Sequence, residues 1–399
     1  MVGKIRSVSL FLRRNLLRIL SNLLKSFGID SKRFGPPSGY YLSLEEFYQS
    51  GVDSSKVIFK NQIDALTIGK PYNFEYLQGK TETEEHIFES SELRLNRLEN
   101  GRFHLTPHAV ISSNDRLIFS ESCCYGMNPE EHWIFNQIRL SKCTKLQGQA
   151  FMLGGRANYW HLLSEELPAL YRLQKNGITI SDFQHLIIHL NRYKFQNQIY
   201  ELFDVPKSKF IELSRFPHLQ ADQLFCFSPI YQPDIEALTW VRDHMLSFVK
   251  NKVLADRRLF IDRESSRSKR IVNQQELMEI LAKYDFEIFK PEDHSVLEQI
   301  AIFRNSYFII GAHGAALANL MFCKPQTNVI EIRSKFHNGS FSAPYVYMWY
   351  KELNDLKYSV LPCNIKESKS LKGRSQMDSD FMVDIQQLEL LIQLHLSSE

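Results

Sequence analysis

Apolar positions along this 399-residue chain switch between two periods, and the switches mark its elements. From about residue 103 to 155 the runs are short and bounded by turn residues. Ala109 to Ser112, Arg116 to Ser120 and Ala150 to Leu153 predict strands. A helical period follows from about Tyr159 to Lys175. A strand His185 to Leu190, a helix Phe195 to Phe203 and a strand Phe210 to Leu213 come next. Asp234 to Leu254 carries Ile235, Leu238, Val241, Met245 and Phe248 on one side, which predicts a long helix able to join two lobes. Residues 40 to 100 show no readable period.

The alternation is clearest from 258 to 333. Leu259 to Ile261, Phe286 to Phe289, Tyr307 to Ile310 and Asn328 to Ile332 predict strands. Between them fall a helix from Asn273 to about Tyr284, a helix opened by the Ser295–Glu298 capping box and ending near Arg304, and a helix Ala315 to Phe322. Strand–helix alternation of this kind predicts a parallel sheet covered by helices on both faces. Its ligands bind beyond the carboxyl ends of the strands. The first half carries a looser version of the same pattern, so two α/β lobes with a cleft between them is the simplest architecture.

The N-terminus has a different character. Ile5, Val8, Leu12, Leu16, Leu20, Leu23 and Phe27 recur at helical spacing, with Lys4, Arg6, Arg13, Arg14, Arg18 and Lys25 among them and no acid before Asp30. The arginines interrupt the apolar run too early for a signal peptide. Two readings stay open: a basic amphipathic helix on an anionic membrane surface, or a helix packed on the protein's own core. Gly35 to Gly39, with Pro36 and Pro37, breaks any helix and predicts a linker.

Composition narrows the function classes. A hydrophobic fraction of 44% with 23% charged residues reads as a globular protein. No stretch approaches the ~20 apolar residues of a membrane span. A net charge of +3 argues against a dedicated nucleic-acid binder. The six cysteines form no CxxC pair and predict buried thiols in a reducing, cytoplasmic compartment. Asp378-Ser379-Asp380 has a metal-binding form but lies in a polar tail and reads as a loop. Neither metal nor cofactor is expected.

Three clusters carry candidate chemistry. In Gly311-Ala312-His313-Gly314-Ala315-Ala316 a small-residue turn enters a helix, where free N–H groups and the helix dipole favour an anion such as a diphosphate. His313 is a hydrogen-bond donor at that place. The alternative is a tight turn whose small residues only permit packing. Arg263, Arg267, Lys269 and Arg270 follow the first strand of the same lobe and offer counter-cations, with a solvated charged loop as the alternative. His161 and Glu165 in Asn158-Tyr159-Trp160-His161-Leu162-Leu163-Ser164-Glu165-Glu166-Leu167-Pro168 share a helix face; a carboxylate beside a histidine suits a general base and equally suits a structural pair. Glu331 ends the fourth strand, where a carboxylate holds ribose hydroxyls or serves as an edge charge.

These clusters, in this order, resemble the family 61 glycosyltransferases, which include bacterial capsular-polysaccharide enzymes, plant xylan xylosyltransferases and eukaryotic O-linked N-acetylglucosaminyltransferases. Asn158 to Pro168 is similar to the family's first motif. Ile261-Asp262-Arg263 with Lys269-Arg270-Ile271-Val272-Asn273 is similar to its middle motif, and Gly311 to Phe322 with Val329-Ile330-Glu331 to its last. Asp262, Ala312 and Ala316 depart from the serine, proline and glycine usual there. The resemblance covers roughly residues 100 to 360. It implies a GT-B-like pair of Rossmann-like lobes, an inverting reaction and a UDP-sugar donor. The expected organisation is residues 1–35 as amphipathic helix and linker, 36–250 as the acceptor-side lobe and 251–399 as the nucleotide-sugar lobe and tail.

The function expected on this basis is sugar transfer to a glycan or lipid-linked glycan hydroxyl, in surface polysaccharide or glycoconjugate synthesis. His161 is the first candidate base and Glu165 the second. Arg263, Arg270, His313, Gly314 and Ala315 hold the diphosphate, Glu331 the ribose, and Asn158 and Tyr159 lie on the acceptor side. The place expected is the cytoplasm, peripheral on the inner face of the membrane if residues 4–27 bind it. A nucleotide-sugar epimerase or hydrolase, or an inactive binding protein with the same cleft, are the alternatives.

Overall fold

The computed structural model describes residues 35–72, 85–105, 108–122, 127–137, 139–190, 194–229, 232–250, 256–262, 271–334, 347–365 and 380–397, with single positions between 16 and 27. They form a mixed α/β protein with two large sheets and one two-stranded sheet. The strands in chain order are β1 (Gly39–Tyr41), β2 (Lys56–Ile63), β3 (Leu66–Ile68), β4 (His86–Phe88), β5 (Ser91–Glu99), β6 (Arg102–His104), β7 (Ala109–Ile111), β8 (Arg116–Ile118), β9 (Thr144–Met152), β10 (His185–Ile188), β11 (Phe210–Glu212) and β12 (His218–Phe227) in the first half. The second half holds β13 (Arg257–Ile261), β14 (Glu287–Phe289), β15 (Ser306–Ala312), β16 (Asn328–Ser334), β17 (Lys357–Ile365) and β18 (Phe381–Met382).

The second half follows the sequence pattern closely. Its sheet runs β14-β13-β15-β16-β17-β18, parallel through β17, with β18 antiparallel at the edge. Side chains alternate between faces as a pleated strand requires. Leu259, Ile261, Ile309, Val329, Tyr358 and Val360 pack toward the first half. Phe260, Phe308, Ile310, Ile330 and Leu361 pack on the other side against the helices Gln274–Lys283 and Ile385–Ser397. The Ser295–Glu298 capping box opens the helix Val296–Arg304 as predicted.

The first half holds a parallel quartet in the order β12-β9-β10-β11, extended by antiparallel β5 and β6 and then by the outer strands. The helices Leu167–Lys175, Phe195–Leu202 and Ile235–Leu246 cover one face. They enter the same hydrophobic core as the facing side of the second sheet, which includes Phe151, Leu163, Leu238, Ile309, Leu317 and Tyr350. The hairpin β3–β4 also crosses over: Phe88 meets Trp349, and the Tyr72 N–H donates to the Tyr358 carbonyl.

Several elements differ from the sequence reading. Residues 40–100 hold β1 to β5 although no period is visible there; β2 is half-exposed on both faces, so its apolar contrast is weak. The strand β12 gives no apolar pattern because buried polar residues interrupt it. His218 Nδ1 lies 2.9 Å from the Ser141 carbonyl, and Gln220 Nε2 donates to the Asn100 carbonyl at 3.1 Å. The helix expected to reach Leu254 ends at Leu246.

Ala315–Phe322 is a 3-10 helix rather than an α-helix. It is buried throughout from Leu317, so packing outweighs the α propensity of its alanines. Asn354 Nδ2 donates to the Leu320 and Met321 carbonyls at 2.8 Å, taking acceptors that further α-turns would use.

The amphipathic helix expected over residues 4–27 lies mostly outside the described residues. Leu16, Leu20, Leu23 and Phe27 are exposed. Among the described residues no disulfide forms, and no helix is long and apolar enough to cross a membrane.

Candidate active site

The first motif follows β9 directly. Asn158 caps the helix, its Oδ1 accepting from the Trp160 N–H at 2.9 Å. The helix Tyr159–His161 continues through a π turn, Leu162–Glu166, before regular α geometry resumes at Leu167. Such wide turns are frequent at functional sites. Tyr159 is buried, and its hydroxyl donates to Asn319 Oδ1 at 2.7 Å. Asn319 in turn donates to Gln299 at 3.0 Å. Tyr159 thus ties the first motif to the 3-10 helix of the last motif. Asn158 and Tyr159, expected on the acceptor side, hold the helix in place.

His161 Nδ1 lies 2.8 Å from Glu165 Oε2. Arg156 Nη1 lies 3.2 Å from the same nitrogen and 3.5 Å from the same carboxylate. With Nδ1 protonated and donating to Glu165, the Arg156 guanidinium can pair only with the carboxylate, and Nε2 is left as an acceptor, the state a base needs. Burial alone would raise the Glu165 pKa; the His161 hydrogen bond and the His161 and Arg156 charges outweigh it and hold the group below the usual carboxylate range. His108 lies close by, with a left-handed backbone at φ 58°. Burial, reinforced by the Arg156 charge, lowers its pKa to about 4.

The second half contributes a matching pair. The Ala312 end of β15 lies beside β16, and His313 Nδ1 meets Glu331 Oε1 at 2.5 Å. The other Glu331 oxygen accepts from the Tyr358 hydroxyl at 2.8 Å, with Arg333 Nη1 at 3.8 Å. Glu331 is 1% exposed. Burial favours its neutral form, but the His313 hydrogen bond and the Arg333 charge hold its pKa below the ordinary value. Both oxygens of the carboxylate expected at the ribose are therefore engaged within the protein, and the group orients His313.

After His313, the first bond of the 3-10 helix is donated by Leu317 to the Gly314 carbonyl. The N–H groups of Ala315 and Ala316 have no partner among the described residues, as expected at a helix start. Gly311 permits the close approach of this turn: a Cβ there would lie 3.0 Å from Ile261 Cδ1.

One segment touches His313 and, through Trp160 and Ser164, the helix that carries His161 and Glu165. Tyr347 packs on His313 with ring centroids 5.0 Å apart, and Trp349 on Trp160 at 5.6 Å. Trp160 meets His161 at 4.8 Å, and the Tyr350 hydroxyl lies 2.6 Å from Ser164 Oγ. His161, Glu165, His313 and Glu331 thus belong to one connected region. Arg263, Arg270 and the other expected counter-cations lie outside the described residues, as does the Asp378-Ser379 part of the acidic tail. Asp262 follows β13, buried, with Lys290 Nζ at 3.7 Å.

Sequence reasoning missed Arg156, His108, Glu166, Tyr358 and Arg333. The Gly154-Gly155 pair after a strand and the Glu331-x-Arg333 alternation were the available signals. Among the described residues no group of three or more His, Cys, Asp or Glu is placed to hold a metal.

A parallel sheet with a small-residue turn and a histidine–carboxylate pair near its carboxyl edge places the protein in the α/β class, whose ligands generally bind beyond the strand ends. The model of the family described as Glycosyltransferase 61 matches residues 159–330. That match includes His161, Glu165 and His313. Over that segment, less than half of the chain, the protein is similar to glycosyltransferase family 61. A comparison with curated proteins returns no match.

Proposed function

We propose that this protein transfers a sugar from a UDP-sugar to a glycan hydroxyl with inversion, by a single in-line displacement in a GT-B-like arrangement. The observation that carries the reading is the His313–Glu331 pair, set at the start of the helix that Tyr159 ties to the His161–Glu165 helix. The diphosphate rests against the Gly314, Ala315 and Ala316 N–H groups and His313, with Arg263 and Arg270 as counter-cations. Glu331 sits behind His313 rather than on the ribose. The acceptor O–H gives its proton to His161 Nε2 as its oxygen bonds the anomeric carbon. The bond from that carbon to phosphate breaks, and its electron pair leaves on the diphosphate. Catalysis then rests on positioning and on charge stabilisation of the leaving group, with no metal.

The proposed setting is surface polysaccharide or glycoconjugate synthesis on the cytoplasmic face of the membrane. The exposed apolar side chains Leu16, Leu20, Leu23 and Phe27, among basic residues, support membrane attachment.

A thermal-shift screen against nucleotide sugars, followed by a transfer assay on the ligand that binds, tests the reading. A donor at 100 times its Kd adds about 2.7 kcal/mol of stability. Donor consumption at an equal rate with and without acceptor would instead mark an epimerase or hydrolase.

A further inference from the structure

Beside the proposed base lies a second carboxyl that the mechanism does not use. The π turn sets Glu165 and Glu166 in succession, the first partly exposed toward His161 and the second buried. The Glu166 carboxyl lies flat against the backbone at Gly154, where any Cβ would come within 2.3 Å of Oε2. Tyr200, on the helix Phe195–Leu202, donates its hydroxyl to Oε2 at 3.1 Å. The Arg156 backbone N–H donates to the same carboxyl. Two residues beyond Gly154, the Arg156 guanidinium reaches both His161 and Glu165.

We infer that Glu166 is a positioning residue. Its carboxyl clamps the Gly154-Gly155-Arg156 turn between the π turn and the Tyr200 helix, and so fixes the guanidinium that meets the His161–Glu165 pair. The inference rests on the reading of His161 as the base. Burial pushes the Glu166 carboxyl up to about 8, so it is mostly neutral at neutral pH and an amide of the same shape can take its place. A displacement of about 1 Å in the turn is enough to cost about a hundredfold in rate.

The test compares Glu166→Ala, Glu166→Gln and Tyr200→Phe in the full chain. It reads kcat, KM for donor, and the 15N resonances of His161, assigned by their loss in His161→Gln. Glu166→Ala should lower kcat about a hundredfold, leave donor KM unchanged and move the His161 resonances. Glu166→Gln should restore both. Tyr200→Phe, which removes a single hydrogen bond, should lower kcat about fivefold to tenfold and keeps the test open if the alanine variant does not fold. Unmoved His161 resonances overturn the inference, whatever happens to kcat. So does equal loss in the alanine and glutamine variants. If His161→Gln is itself fully active while Glu166→Ala still moves those resonances, the base assignment fails and the clamp stands.

Discussion

The buried carboxylate behind His313 offers a quantitative test of the proposed donor site. In Glu331→Gln the shape is kept and the charge is lost. The bond at stake is the 2.5 Å contact from His313 Nδ1 to Oε1. A hydrogen bond to a charged group contributes about 1.5–3 kcal/mol. If His313 needs that partner to present Nε2–H to the diphosphate, kcat/KM should fall about 10- to 150-fold. Stability falls as well, because Arg333 is left buried beside a neutral amide; losing one member of a buried pair costs about 3–5 kcal/mol. The assay is a double-mutant cycle in transfer rate with His313→Ala, Glu331→Gln and the pair, each variant measured well below its own melting temperature. Coupling predicts that the double variant is no slower than His313→Ala alone. Additive losses, or a Glu331→Gln enzyme with full activity, would refute the idea that the carboxylate acts through His313.

Four further outcomes are expected. Arg263→Ala should lower turnover on the order of a hundredfold without unfolding the protein, by loss of ~2.7–4 kcal/mol of leaving-group stabilisation; circular dichroism with single-turnover kinetics separates the two effects. Tyr159→Phe removes the bond to Asn319 and leaves a buried acceptor, so it should cost about 1–3 kcal/mol in denaturant unfolding. Glu121 is buried and its pKa is raised by burial to about 7. A raised carboxyl contributes stability below its unfolded value of 4.5 and loses it as pH rises to 7. Glu121→Gln should therefore gain melting temperature relative to the parent across that window and hold the gain above it. Vesicle binding by the full chain should need anionic lipid and weaken with salt; equal partitioning to neutral vesicles at any salt counts against it.

What the sequence made legible depended on burial contrast. The parallel sheet from β13 to β17 lies in the core, so its runs of Leu, Ile, Val and Phe stand out from the capped helices between them. The His161–Glu165 pair was readable because four-residue spacing on a helix is a local fact. The His313–Glu331 contact joins the residue just after β15 to one within β16, and only the register of the two strands brings them together. Glu331 reads as a strand-end residue in sequence, but β16 continues to Ser334, and its partners His313 and Tyr358 come from positions that spacing does not relate. Arg156 and Glu166 were hidden for a similar reason. Their meeting depends on the π turn and on a glycine that admits a carboxyl against the main chain. The 3-10 form of Ala315–Phe322 was set by tertiary hydrogen bonds from Asn354, which no local pattern encodes.

The proposed mechanism turns on where a diphosphate sits. A crystal soaked with UDP should show phosphate oxygens within hydrogen-bond distance of the Ala315 and Ala316 N–H groups and of His313. Phosphate density elsewhere on the molecule, with that turn unoccupied at saturating nucleotide, would contradict it.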